Sequence, residues 1–96
     1  MERINSMVYL VTYDLKKPGQ NYSTLYDAIK SLGSWWHYLD STWLVDTNFY
    51  SANSVSEKLT PHIDKNDNLL VIGVKNDYQG YLPEDAWDWL YQHISN

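Results

Sequence analysis

Asp14 is the residue whose type and place first suggest chemistry. It closes the run Met7-Val8-Tyr9-Leu10-Val11-Thr12-Tyr13-Asp14-Leu15, the longest apolar, β-branched and aromatic stretch in the chain. A carboxylate at that point either does chemistry, as a ligand for a hard cation such as Mg²⁺, or only ends a strand. Lys16 and Lys17 follow directly. No His, Glu or Ser is tied to Asp14 by spacing, so one acid stands alone. His37, His62 and His93 show no ligand spacing with one another and read as structural or surface histidines. There is no phosphate-binding Gly loop and no nucleophile motif. Asp64-Lys65-Asn66-Asp67-Asn68 has the look of a calcium loop, but Leu69 stands where Gly is needed and Lys75 where the bidentate Glu is needed. It reads as a plain polar turn.

The second group able to carry function is aromatic. The chain has nine Tyr and five Trp against one Phe. Tyr and Trp join an apolar body to a polar tip, which suits half-buried positions, interfaces and stacking sites. Trp35, Trp36 and Trp43 concentrate in one short region, and Tyr78 and Tyr81 in another. Core packing explains the Trp group most simply; a stacking platform for a base or a subunit interface are the functional readings. Trp89 is a further candidate for a partner contact.

The 96 residues form one domain, with residues 1–6 as a lead-in and 83–95 as a C-terminal helix. The net charge of −5, from 12 acids and 7 bases, opposes non-specific binding to nucleic acid. Lys58, Lys65 and Lys75 are scattered and read as solvated surface charges. Without Cys, disulfides and thiolate metal sites are excluded. No apolar run approaches the roughly 20 residues that span a bilayer. The first six residues are too short and polar for a signal peptide, so a cytoplasmic protein is expected.

These residues need elements to hold them. The run from Met7 predicts a central strand, with Val8, Leu10, Thr12 and Asp14 on one face and Met7, Tyr9, Val11 and Tyr13 on the other. Pro18-Gly19 predicts a loop, and Asn21 a helix cap. Tyr22, Leu25, Ile29 and Leu32 recur at helical spacing, and Gly33 is expected to end that helix in a left-handed conformation. Ser34 to Leu39 and Thr42 to Asp46 read as a hairpin about Asp40-Ser41. Ser51 or Ser54 caps a second helix, with Ala52, Val55 and Leu59 inward, and Pro61 ends it or opens a short turn. Leu69 to Lys75 reads as a second central strand beside the first. Residues 76–82 can add a short edge strand. Pro83 opens the last helix, with Trp87, Leu90, Tyr91 and Ile94 as its apolar stripe and Trp89 off it.

The order strand, helix, hairpin, helix, strand is the α+β, ferredoxin-like βαββαβ plan: a four-stranded antiparallel sheet with two helices on one face, plus a C-terminal helix. The other face is apolar. Either a second copy or the C-terminal helix must cover it.

Residues 7–90 carry a resemblance. The strand Tyr9-Leu10-Val11-Thr12-Tyr13-Asp14-Leu15, the following helix, the hairpin and the strand Leu69 to Val74 resemble the small CRISPR-associated family that forms the central dimer of the spacer-integration complex. VapD-type ribonucleases share that fold. Val8 to Leu15 and Asp77-Tyr78-Gln79-Gly80-Tyr81-Leu82-Pro83 are more similar to SinR-like proteins of bacteria and phages. In the CRISPR-associated family an aspartate ending the first strand pairs with its dimer mate, and Asp14 is the matching position. The resemblance therefore implies a homodimer or higher homo-oligomer, and metal-dependent phosphodiester cleavage with Mg²⁺ held by two copies of Asp14. The basic residues that hold nucleic acid in that family are mostly absent here.

Three functions are expected from these readings. The first is a non-catalytic, self-associating module binding a nucleotide or short nucleic acid, possible in phage–host defence as a ligand-sequestering protein and needing no cofactor. Tyr13, Lys16, Trp35, Trp36, Trp43, Tyr78 and Tyr81 are its candidate ligand contacts. The second is a Mg²⁺-dependent endoribonuclease with Asp14 as catalytic and metal residue. The third is a structural subunit of a larger assembly.

Overall fold

The computed structural model describes residues 7–16, 22–48 and 50–94. The lead-in, Asn21 and Ser95 lie outside the described residues. Strand β1 (Met7–Asp14) is central, as its apolar run predicts. It pairs antiparallel with β3 (Thr42–Thr47) on one side and β4 (Asn68–Val74) on the other. β2 (Ser34–Leu39) pairs antiparallel with β3 through the two-residue Asp40-Ser41 turn, giving the sheet order β2-β3-β1-β4. The fold is the expected ferredoxin-like arrangement with a C-terminal helix added.

One expectation about the sheet fails. β4 lies beside β1 but at the sheet edge, not centrally. Residues 76–82 form no further strand; the Asp77 amide turns back onto the Lys75 carbonyl at 2.7 Å and the chain leaves the sheet. Leu70 and Ile72 of β4 are consequently 55% and 51% exposed.

Helices α1 (Ser23–Lys30) and α2 (Ala52–Leu59) cover one face of the sheet. Alternation along the strands sends Tyr9, Val11, Tyr13, Trp43 and Val45 there, against Leu25, Ile29, Val55 and Leu59. The start of α2 is settled by Ser51: its hydroxyl accepts the Ser54 amide at 3.1 Å, and the Ser54 hydroxyl accepts the Ser51 amide at 2.7 Å. Pro61 then sits in a separate 3₁₀ turn, Thr60–His62.

α1 ends at Lys30, and Gly33 does not adopt the left-handed conformation expected of it. Glycine is needed there for a different reason. A Cβ on Gly33 would run into the Asp46 carbonyl oxygen of β3. Its absence lets β2 begin close against β3, with Ser34 in register with Asp46. Gly33→Ala is expected to cost about 1–3 kcal/mol, because the clash is with backbone and cannot relax by a rotamer change. Urea unfolding of the variant measures it.

Helix α3 (Glu84–His93) crosses the second face of its own sheet. Ala86, Leu90 and Ile94 pack with Val8, Trp36 and Leu44. Small Ala86 is fully buried, so it lets the helix approach. Trp87, Leu90 and Ile94 face the sheet as expected, but the margin of the stripe differs: Tyr91, expected inward, is 77% exposed, and Trp89, expected off the stripe, is half-buried against the His93 ring at 4.1 Å. Trp87 Nε1 donates to the Leu82 carbonyl at 3.1 Å and fixes the entry to the helix. α3 covers the sheet at the Val8 end of β1 and leaves the Asp14 end open, where Leu39, Leu70 and Ile72 stay about half exposed. Among the described residues, no helix is long and apolar enough to cross a membrane.

Candidate functional site

Asp14 ends β1 on the face that α3 leaves open, in register with Asn68. Its exposed carboxylate holds the Lys16 ammonium at 2.7 Å. The hydrogen bond and charge of Asp14 raise the Lys16 pKa above its ordinary value. Thr12, Asn68 and Leu70 join Asp14 around an open hollow of about 240 Å³. Among the described residues, no three His, Cys, Asp or Glu side chains gather to hold a metal ion. One carboxylate already engaged by an ammonium does not fit Mg²⁺ within a single chain.

Beside Asp14 lies a carboxylate that the sequence did not single out. Asp67 is buried and accepts hydrogen bonds from the Lys16 amide at 2.7 Å, the Tyr22 hydroxyl at 2.9 Å and the Asp64 amide at 2.8 Å. The polar turn 64–68 is thus a clasp between the end of β1, the start of α1 and the start of β4.

The expected ligand contacts do not converge. Trp43 is the centre of one group, on the α1/α2 face. It is 2% exposed, donates from Nε1 to the Tyr13 hydroxyl at 2.9 Å, and carries the His37 ring stacked at 3.7 Å. Tyr26 stacks at 6.1 Å and Trp35 tilts against it at 5.4 Å, with Lys30 Nζ 5.0 Å from the Trp35 ring. Trp36 lies on the opposite face, in contact with Tyr38 at 5.2 Å. It lines an apolar hollow of about 160 Å³ under α3 with Leu10, Leu44, Leu82 and Leu90. Tyr78, also at that hollow, stacks with Trp87 at 6.3 Å. Lys16 stays with Asp14, and Tyr81 stands wholly in solvent. The set is therefore divided among both faces and a loop rather than gathered in one cleft.

Tyr13 yields a pH prediction. Burial pushes its pKa above the ordinary 10.0, and the Trp43 hydrogen bond pulls it partly back. The raised folded-state value means that the unfolded chain loses this proton first. Stability from Tyr13 is full below pH 10.0 and falls as pH rises through the folded value. Unfolding free energies measured across that window should fall less steeply in Tyr13→Phe than in the parent.

His93 was read as a structural or surface histidine. The fold brings it to two residues far away in sequence. Its Nδ1 lies 2.7 Å from Asp46 Oδ2 on β3, and its Nε2 lies 3.4 Å from Ser34 Oγ on β2. The register Ser34, Asp46, Val8, Val74 places this group at the end of the sheet opposite Asp14.

Fold and sites together define a small ferredoxin-like α+β domain with a self-covering C-terminal helix and a half-open second face. No protein-family model matches the chain, and no curated protein matches it either.

Proposed function

We propose that the protein is a self-associating binding module in which a second copy covers the open half of the sheet. The observation that carries this reading is the apolar surface left beside α3, where Leu39, Leu70 and Ile72 are 49%, 55% and 51% exposed. Leu10 and Thr12 of β1 continue it toward Asp14. The Thr12 hydroxyl donates to the Ser41 carbonyl at 3.0 Å and accepts from the Thr42 hydroxyl at 3.1 Å. A surface without unmatched charge can meet its own copy about a two-fold axis without burying an unpaired charge. The Asp14–Lys16 pair at its rim supplies both signs, which a two-fold can place opposite each other.

The ligand proposed for the assembly is a nucleotide or short nucleic acid, on the strength of the sequence resemblance and the Tyr and Trp enrichment. Asp14 then has a structural or ligand-contacting role. Native mass spectrometry, before and after adding a nucleotide and cyclic-nucleotide panel, tests both parts. An oligomer with stoichiometric nucleotide, whose binding is weakened at most but retained in Asp14→Ala, supports the module. A strict monomer that binds nothing sinks it.

The position of Asp14 favours a second reading. It borders the open face, so an association there brings two copies of Asp14 toward one another. A Mg²⁺-dependent endoribonuclease would need that second carboxylate, since one chain does not furnish the site. This reading expects chelator and Asp14→Asn each to abolish RNA cleavage by the purified protein. Cleavage that survives both rules it out.

A further inference from the structure

We propose that Ser34 is a nucleophile activated by His93, with Asp46 as the positioning residue, and that the site accepts the acyl group of small activated carboxylic esters. This assigns an activity to the end of the sheet away from the association face, and it does not depend on that face.

The Asp46 side chain is fully buried, and an ionised carboxylate can only accept hydrogen bonds. With Asp46 ionised and the ring neutral, the 2.7 Å contact puts the imidazole proton on His93 Nδ1 and leaves a lone pair on Nε2. In that tautomer the Ser34 hydroxyl, 3.4 Å away, is the donor to Nε2. Such a tautomer is what a general base needs: one nitrogen fixed by a carboxylate, the other open to the nucleophile's proton. The Ser–His distance is long for a hydrogen bond, as is common before a substrate draws catalytic groups together.

The surroundings hold this arrangement. Trp89 stacks on His93 with ring centroids 4.1 Å apart and planes 26° from parallel. The His93 side chain is only 17% exposed, whereas Ser34 is exposed at the start of edge strand β2. A substrate can thus reach the oxygen while the base stays sheltered. Gly33 matters here too, since the close approach it permits sets Ser34 beside Asp46. Among the described residues, Asp46 on β3 is the charged group against the imidazole, with Ser34 on β2 and Trp89 on α3 as neutral neighbours.

The chemistry balances with water as the only co-reactant. Ser34 Oγ bonds to the ester carbonyl carbon as its proton passes to His93 Nε2. Collapse breaks the carbon–oxygen bond of the leaving group, which takes that proton from Nε2 and departs as the alcohol. Water then attacks the acyl-serine, gives its proton to Nε2, and releases the carboxylic acid as the proton returns to Ser34 Oγ.

The test uses a fluorophosphonate on the full chain, followed by intact mass and peptide mapping. Labelling forms an Oγ–P bond and expels fluoride, with the serine proton going to His93. One label on Ser34 is expected. Ser34→Ala should remove it without changing the melting temperature, because the hydroxyl is exposed. His93→Gln should slow labelling by about a hundredfold or more. The parent protein needs no variant for the remaining arm: Ser34 should label far faster in the folded chain than in the urea-unfolded chain. p-Nitrophenyl acetate hydrolysis should vanish in Ser34→Ala. Label elsewhere, or labelling of Ser34 no faster than in urea-unfolded chain, overturns the proposal.

Discussion

Trp43→Ala is expected to lose about 3–5 kcal/mol of folding stability, the usual range for truncating a buried aromatic. Against a total of about 5–15 kcal/mol for a domain of ordinary stability, this takes a large share of the margin. Trp43 belongs at the upper end for two reasons. Its ring is 2% exposed and is shared by His37, Tyr26 and Trp35, so the void is bounded by rings that cannot collapse without leaving their own contacts. Removing Nε1 also takes the hydrogen bond from the buried Tyr13 hydroxyl. Trp43→Phe separates the two effects. It keeps much of the packing but deletes the donor, so its loss should be smaller. The variant should also push the Tyr13 pKa higher still, since the Trp43 bond is the contribution that lowers it. Urea unfolding gives the first quantity, and alkaline titration of tyrosine absorbance the second. A loss in Trp43→Ala below about 1 kcal/mol would mean the aromatic group is not part of the cooperative core.

The same residue shows what a sequence can convey. β1 was legible because both of its faces are apolar, which suits a strand with cover on both faces. The hairpin and α2 were legible from local chemistry: the Asp40-Ser41 turn and the Ser51 cap act within a few residues. β4 was misplaced at the centre because an apolar run reports that something covers a strand, not whether that cover is another strand. The stripe of α3 was legible at Trp87, Leu90 and Ile94 but misread at its margin, where Tyr91 and Trp89 exchange roles. Ala86, the smallest of its inward residues, decides which face approaches the sheet.

Sites were harder to read than elements, for a physical reason. Asp14 stood out because it interrupts an apolar run. Asp67 did not, since an acid in a polar turn looks ordinary until the turn folds onto the amide of Lys16 and the hydroxyl of Tyr22. Ser34, Asp46 and His93 are separated by 12 and 47 residues, spacings that match no local motif. The sheet register brings the first two together, and α3 folding back brings the third. The aromatic residues erred the other way. Trp35 and Trp36 are adjacent in sequence, but strand alternation sends them to opposite faces.

Replacing Leu70 and Ile72 together by Asp should convert the associated protein to monomer. Fully burying a Leu or Ile side chain is worth about 1.5–3 kcal/mol, and these two have roughly half of that still to gain, about 1 kcal/mol each. In a two-fold interface each residue counts once per subunit. The pair therefore supplies about 4 kcal/mol, or roughly a thousandfold in dissociation constant, before the cost of burying new carboxylates is added. The folded monomer should lose about 2 kcal/mol, because the buried half of each side chain already stabilises it. Sedimentation velocity over a concentration series reads the association, and thermal unfolding at low concentration reads the fold. Dissociation to a monomer that still unfolds cooperatively places the interface on the open half of the sheet. An oligomer that survives both carboxylates must be held elsewhere, and Asp14 would then lose the approach to a second copy that a nuclease reading requires.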